Sequence, residues 1–267
     1  DLILSLNSPA DYSKERNFLG GRVGRICGRV YEGKWQLGGN ILQLLQNDGE
    51  NHIHGGIGLD MQVWNFKLYA GSQVAQADLT LVDPDGNNGY PGNLKLHAIY
   101  ELDNDNNLRY ELIAVSDKMT IFNPANHTYF TLGEKARDLK MQLNADYYLP
   151  VGEDGLPNQG MKSVDQTAFD FRKAKKIGEA LTSSDKQIKL RNGLDHPFIL
   201  NGNQPAATLI GENHQMTMTT NAPAIVTYTA NHFNHTGVAN NIGQYDGITL
   251  EAQCPPSENS DLGEITL

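Results

Sequence analysis

The sequence predicts an all-β fold of short antiparallel strands, arranged as a sandwich or a barrel. Three observations lead there. Short stretches alternate apolar and polar residues or are rich in β-formers, clusters of Asp, Asn and Gly separate them, and helical periodicity is scarce. Residues 78–82 (DLTLV), 94–100 (LKLHAIY), 108–115 (LRYELIAV) and 215–219 (QMTMT) are the clearest strands. The turn chemistry lies at 83–92 (DPDGNNGYPG), 103–107 (DNDNN) and 201–204 (NGNQ). Residues 168–180 (AFDFRKAKKIGEA) are the main helical competitor, and Gly178 within them keeps any helix short. The stretch 151–158 (VGEDGLPN) reads as a long loop.

One domain over residues 1–267 is the expected organisation, since no repeat, low-complexity linker or composition shift divides the chain. Apolar residues make up 39%, enough to bury a sizeable core. The net charge of −10 repels phosphate backbones, so nucleic acid is excluded as an expected partner. No apolar run reaches the roughly 18–20 residues of a membrane span, so no membrane partner is expected either. Cys27 and Cys254 are too few and too far apart for a disulfide framework or a CxxC metal or redox pair. A reducing cytoplasm is the expected location.

Five polar clusters carry candidate chemistry. Glu251 follows the β-prone stretch 247–250 (GITL). A carboxylate at the end of a buried strand must be paired or titrate high, which suits a general base. Locally a solvated edge-strand glutamate is the better reading, since strand carboxylates are mostly solvated. His127 stands between Asn126 and the aromatic pair Tyr129 and Phe130, where it is either a tuned proton donor or a half-buried imidazole on a carbonyl. His52 and His54 form an HxH pair, expected on one face of a strand, with Gly55 and Gly56 beside them. Neutral imidazoles both donate to and accept from sugar hydroxyls. A cupin-type metal site completed by Asp60 or His97 is the weaker reading, because the carboxylate spacing after the pair is wrong. Asp195, expected in a turn before 197–200 (PFIL), could hold two vicinal hydroxyls or simply cap the turn. Arg29, four residues after Arg25, would need a carboxylate or ligand partner in an apolar setting, or forms an ordinary surface ion pair.

Taken together and in order, these clusters resemble the aldose 1-epimerase (galactose mutarotase) family. Residues 23–30 (VGRICGRV) are similar to that family's VGRxxNRI segment, and 51–56 (NHIHGG) to its NHLHGG, continued by Asp60 and Trp64. Residues 126–130 (NHTYF) match NHSYF, 193–198 (GLDHPF) match GxDHxF, and 247–253 (GITLEAQ) match GxxLETQ with Pro256 beyond. The resemblance runs over essentially the whole chain. It implies a large, twisted antiparallel β-sandwich with the sugar in an open cleft on one sheet. It implies Glu251 as general base and His127 as general acid. His54 is implied near the ring oxygen and C1, Arg29 against substrate and acidic residues, and Asp195 on hydroxyls away from C1. The implied partner is a free monosaccharide or small oligosaccharide, with no metal, cofactor or covalent intermediate.

Two departures touch the implied site. Gly28 stands where the family commonly has asparagine, which removes one carboxamide contact and leaves Cys27 beside the gap. Ala252 replaces the threonine after the glutamate. Activity is still expected, with a shifted substrate preference. The resemblance also implies opening strands ahead of residues 2–12 and a closing strand after Leu267, and neither is in the sequence. Sheet edges left open there would be prone to aggregation. The rival readings are a non-catalytic carbohydrate-binding protein on the same scaffold and a glycosidase using Asp195 with Glu251.

Overall fold

The structure is a computed structural model that describes residues 1–37, 39–256 and 265–267. Three antiparallel sheets carry most of the architecture. The first has six strands in the order Tyr129–Phe130, Ile248–Gln253, Ala224–Tyr228, Asp195–Ile199, Tyr147–Tyr148 and Lys162–Ser163. The second has four, in the order Lys175–Lys176, Lys140–Leu143, Ala207–Ile210 and Gln215–Met218. The third is a meander of Asn65–Ala70, Val74–Asp83, Leu94–Asp103 and Leu108–Ser116. All four stretches expected as strands are strands, and the fold is the expected all-β, sandwich-type architecture.

The largest core lies between the first two sheets. Phe198, Ile225, Ile248 and Leu250 from one pack with Met141, Leu143 and Leu209 from the other. The period of two explains why the first sheet can also carry a polar face. In Ile248–Gln253, Ile248 and Leu250 enter this core, so Thr249, Glu251 and Gln253 emerge on the opposite side. Buried aliphatic area of this kind contributes about 25 cal/mol per Å².

Turn chemistry closes the meander as expected. The Asp103 carboxylate accepts the backbone N–H groups of Asp105 and Asn107 at 2.9 and 2.8 Å, fixing the turn between two long strands. The turn after Val74–Asp83 is held by Arg25. That side chain is buried, donates to Asp83 Oδ2 at 2.6 Å and Thr120 Oγ1 at 3.1 Å, and reaches the carbonyls of Pro91 and Gly92. It thereby pins the segment bearing Cys27, Gly28 and Arg29 to the third sheet.

The helical content differs from expectation in one respect. Within 168–180 only the end is helical, in Ile177–Leu181, but a second short helix follows at Lys186–Arg191. Asp185 caps it by accepting the Gln187 N–H at 2.8 Å. Among the described residues no helix is long and apolar enough to cross a membrane.

Candidate active site

The cleft lies on the polar face of the six-stranded sheet. Strand register aligns Tyr129, Thr249, Tyr228 and Asp195 in one row across four strands, with Glu251 beside Val226 in the adjoining row. Segments 16–29 and 48–54 form the opposing wall. The space enclosed is about 420 Å³, and Arg29, His54, His127, Asp195 and Glu251 all line it. That volume is typical of small-molecule sites, which run to about 300–1,000 Å³.

Glu251 sits in mid-strand, 3% exposed, rather than at a strand end or on a solvated edge. Its Oε1 accepts the Thr249 hydroxyl at 2.7 Å, and its Oε2 accepts the Cys27 thiol at 3.3 Å. The third partner is His127, whose Nε2 lies 3.3 Å from Oε1. His127 closes the Ala125–His127 strand, which pairs with Gly21–Val23. Its ring lies among those of Phe18, His54 and Tyr129, with centroids 5.8, 5.6 and 5.1 Å away. Nδ1 is buried with no hydrogen-bond partner among the described residues, which leaves Nε2 as the working edge.

The expectation that His52 and His54 share a strand face is corrected. The strand spans only His52–Ile53, and His54 then adopts φ +50°, turning its ring away from that of His52 and into the cleft. His52 is structural: Nδ1 donates to the Leu45 carbonyl at 2.6 Å, and Nε2 accepts the Tyr90 hydroxyl at 2.5 Å. Gly55 is required by the turn, since its φ is +74° and a Cβ would strike the Gly24 carbonyl. The proposed metal partners are also elsewhere. Asp60 forms a bidentate pair with Arg16 at 2.6 and 2.7 Å, and His97 lies on the third sheet facing Asp78.

His54 is held neutral. Burial, reinforced by the charges of His127, Arg29 and Arg16, pushes its pKa well below the ordinary histidine value. Its Nδ1 accepts the Gly28 backbone N–H at 3.2 Å, so the proton resides on Nε2, which becomes a donor toward the cleft. The Tyr129 and Tyr228 hydroxyls stay protonated because burial raises their pKa values.

Arg29 donates through Nε to Asp48 Oδ2 at 2.6 Å, a carboxylate partner that no local pattern indicated. Asp195 begins the Asp195–Ile199 strand instead of sitting in a turn before it. Its Oδ2 accepts Arg191 Nε and Nη2 at 3.1 and 2.6 Å, which leaves Oδ1 as the oxygen available for a hydroxyl. Arg191, Asp48, Thr249, Tyr228 and Arg16 are therefore site residues that sequence reasoning missed. The i,i+4 spacing of Arg191 and Asp195 and the i,i+2 spacing of Thr249 and Glu251 were the available signals.

The sheet face thus presents a buried carboxylate–imidazole pair with donors and acceptors suited to hydroxyl groups around it. A family model described as aldose 1-epimerase matches residues 1–267. An aldose 1-epimerase of Haemophilus influenzae is 35% identical over 257 residues, covering 92% of this chain and 74% of that protein. A galactose mutarotase of Bos taurus is 30% identical over 269 residues, covering 96% and 76%. The crystal structure of a galactose 1-epimerase from Lactobacillus acidophilus NCFM aligns with a TM-score of 0.98 at 71% identity, over 100% of this chain and 80% of that one. A C. elegans GalM/aldose epimerase homologue shares the fold at 20% identity, with a TM-score of 0.85 over 100% of this chain and 83% of that one. The chain belongs to the aldose 1-epimerase family, and its class of enzyme is an isomerase.

Proposed function

We propose that the cleft binds a free monosaccharide aldose, such as galactose or glucose, and interconverts its α and β anomers with Glu251 as base and His127 as acid. The observation that carries this reading is the 3.3 Å approach of His127 Nε2 to Glu251 Oε1 inside the cleft. Two proton-transferring groups so close can serve two oxygens on one carbon, as the anomeric hydroxyl and the ring oxygen are.

In the ring-opening step the Glu251 carboxylate takes the proton of the C1 hydroxyl. The O–H electron pair forms the aldehyde C=O, the C1–O5 bond breaks, and its electron pair stays on O5. His127 gives its Nε2 proton to O5. Rotation about C1–C2 presents the other aldehyde face, and closure returns each proton by the reverse route. Each positioned proton transfer is worth about 10²–10⁴-fold. Neutral His54 donates to an oxygen near C1, and Arg29 and Asp195 hold hydroxyls, with Asp195 using Oδ1. No electrons leave the substrate, so no redox partner is required.

Polarimetry of freshly dissolved α-D-galactose and α-D-glucose tests the reading. The decay toward the equilibrium rotation should accelerate in proportion to protein concentration. Sugar binding measured by titration with an unaltered decay rate would instead support the non-catalytic reading.

A further inference from the structure

We infer that Thr249 and Cys27 act as a clamp that positions the Glu251 carboxylate, one on each oxygen; this rests on Glu251 being the base. The two donors come from different parts of the chain. Thr249 precedes Glu251 by two residues on the same strand face and is itself fully buried. Its hydroxyl donates to Oε1 at 2.7 Å. Cys27 comes from the opposing wall, where its N–H donates to the Asn123 carbonyl at 2.7 Å. Its thiol donates to Oε2 at 3.3 Å.

The thiol has a second neighbour, His54 Nδ1 at 3.6 Å. That nitrogen already accepts the Gly28 N–H, so the S–H is directed to Glu251. Burial first, and then the nearby Glu251, hold the Cys27 thiol protonated, so it remains a donor.

A carboxylate offers about four acceptor positions. Thr249 and Cys27 occupy one each, and a third faces His127. The fourth is left for the incoming anomeric hydroxyl. Two donors from separate parts of the chain fix the plane of the carboxylate and so orient its free position toward the anomeric hydroxyl. The other titratable groups facing Glu251 are Tyr129 from the neighbouring edge strand and Tyr228 from the strand on its other side, with Asp195 and Arg191 beyond Tyr228.

The test uses the full chain with Thr249→Val, Thr249→Ser, Cys27→Ala, Cys27→Ser and Glu251→Gln. Mutarotation of α-D-galactose is followed for kcat and KM. Thr249→Val should lower kcat by about 10- to 100-fold with KM within about twofold. Thr249→Ser should restore kcat, and Cys27→Ala should lower kcat a few-fold at nearly unchanged KM, reversed by Cys27→Ser. Wild-type kcat in Thr249→Val and Cys27→Ala, with Glu251→Gln inactive, would overturn the clamp alone. Parallel changes in kcat and KM, or a kcat that Thr249→Ser and Cys27→Ser do not restore, would also overturn it. Full activity in Glu251→Gln would remove the base assignment on which the clamp rests.

Discussion

His127 Nε2 and Glu251 Oε1 stand 3.3 Å apart with both side chains almost fully buried, one from the Ala125–His127 strand and one from the neighbouring Ile248–Gln253 strand. A pair so desolvated interacts more strongly than in water, and each partner depends on the other to offset the cost of burial.

Replacing His127 by Gln keeps a polar group of similar size but removes the transferable proton. The expected loss in kcat is about 10²–10⁴-fold, with the far-ultraviolet circular dichroism unchanged. Polarimetry gives the rate. A loss below threefold would contradict the role of His127 as acid.

Asp195 and Arg191 should act as one unit, since Arg191 holds Oδ2 through two bonds. Asp195→Ala and Arg191→Ala are each expected to raise KM about tenfold or more. The double variant should be no worse than the more damaging single one, a coupling of about 1–3 kcal/mol. Simple additivity in the measured kcat/KM values would show that Arg191 does not position Asp195.

Stability should fall on mild acidification. Burial holds the pKa values of His52 and His196 down to about 4, and that of His54 well below its ordinary value. The folded-state pKa values lie below the unfolded ones, so protons bind the unfolded chain preferentially as pH drops under about 6.5. The contribution is complete above that pH and is lost toward pH 4, at up to about 1.4 kcal/mol per pH unit for each histidine. The thermal midpoint is expected to change little from pH 7.5 to about 6.5 and to fall from there through pH 6 to 5. A midpoint that stays flat or rises over that range would contradict the neutral state of these three imidazoles.

Gly28 has φ +83°, and a Cβ there would lie 2.9 Å from Pro256 Cγ. Gly28→Ala is therefore expected to destabilise by about 1–3 kcal/mol. Gly28→Asn should cost less in backbone strain, because asparagine visits the left-handed region more readily. Its carboxamide should also change the ratio of kcat/KM for galactose over glucose. Thermal melts and polarimetry on both sugars check this, and equal melting of the two variants with an unchanged sugar ratio would contradict it.

Much of this site was legible along the chain, for reasons that differ by residue. The apolar–polar alternation from Ile248 to Gln253 marks a strand and places Thr249 and Glu251 on one face. The convergence of Glu251 with His127 is a long-range contact that no local period contains, and only the combined motifs pointed to it. His52 and His54 were misread because a period of two assumes that the strand continues. The Gly55-Gly56 pair that follows was the signal for a turn, and His54 itself takes the first positive φ. The helix Lys186–Arg191 was overlooked although Asp185 is a good cap residue, because six residues carry too little periodicity. The pairing of Arg29 with Asp48 depends on two segments meeting, and nothing in either segment announces it.

The most direct measurement is polarimetry of fresh α-D-galactose with Glu251→Gln, set beside the affinity of that variant for the sugar. Near-native binding together with a rate reduced by about 10²–10⁴-fold is the result expected of a lost base. A variant that still equilibrates the anomers at close to the native rate would contradict the assignment of Glu251 and the acid–base account built on it.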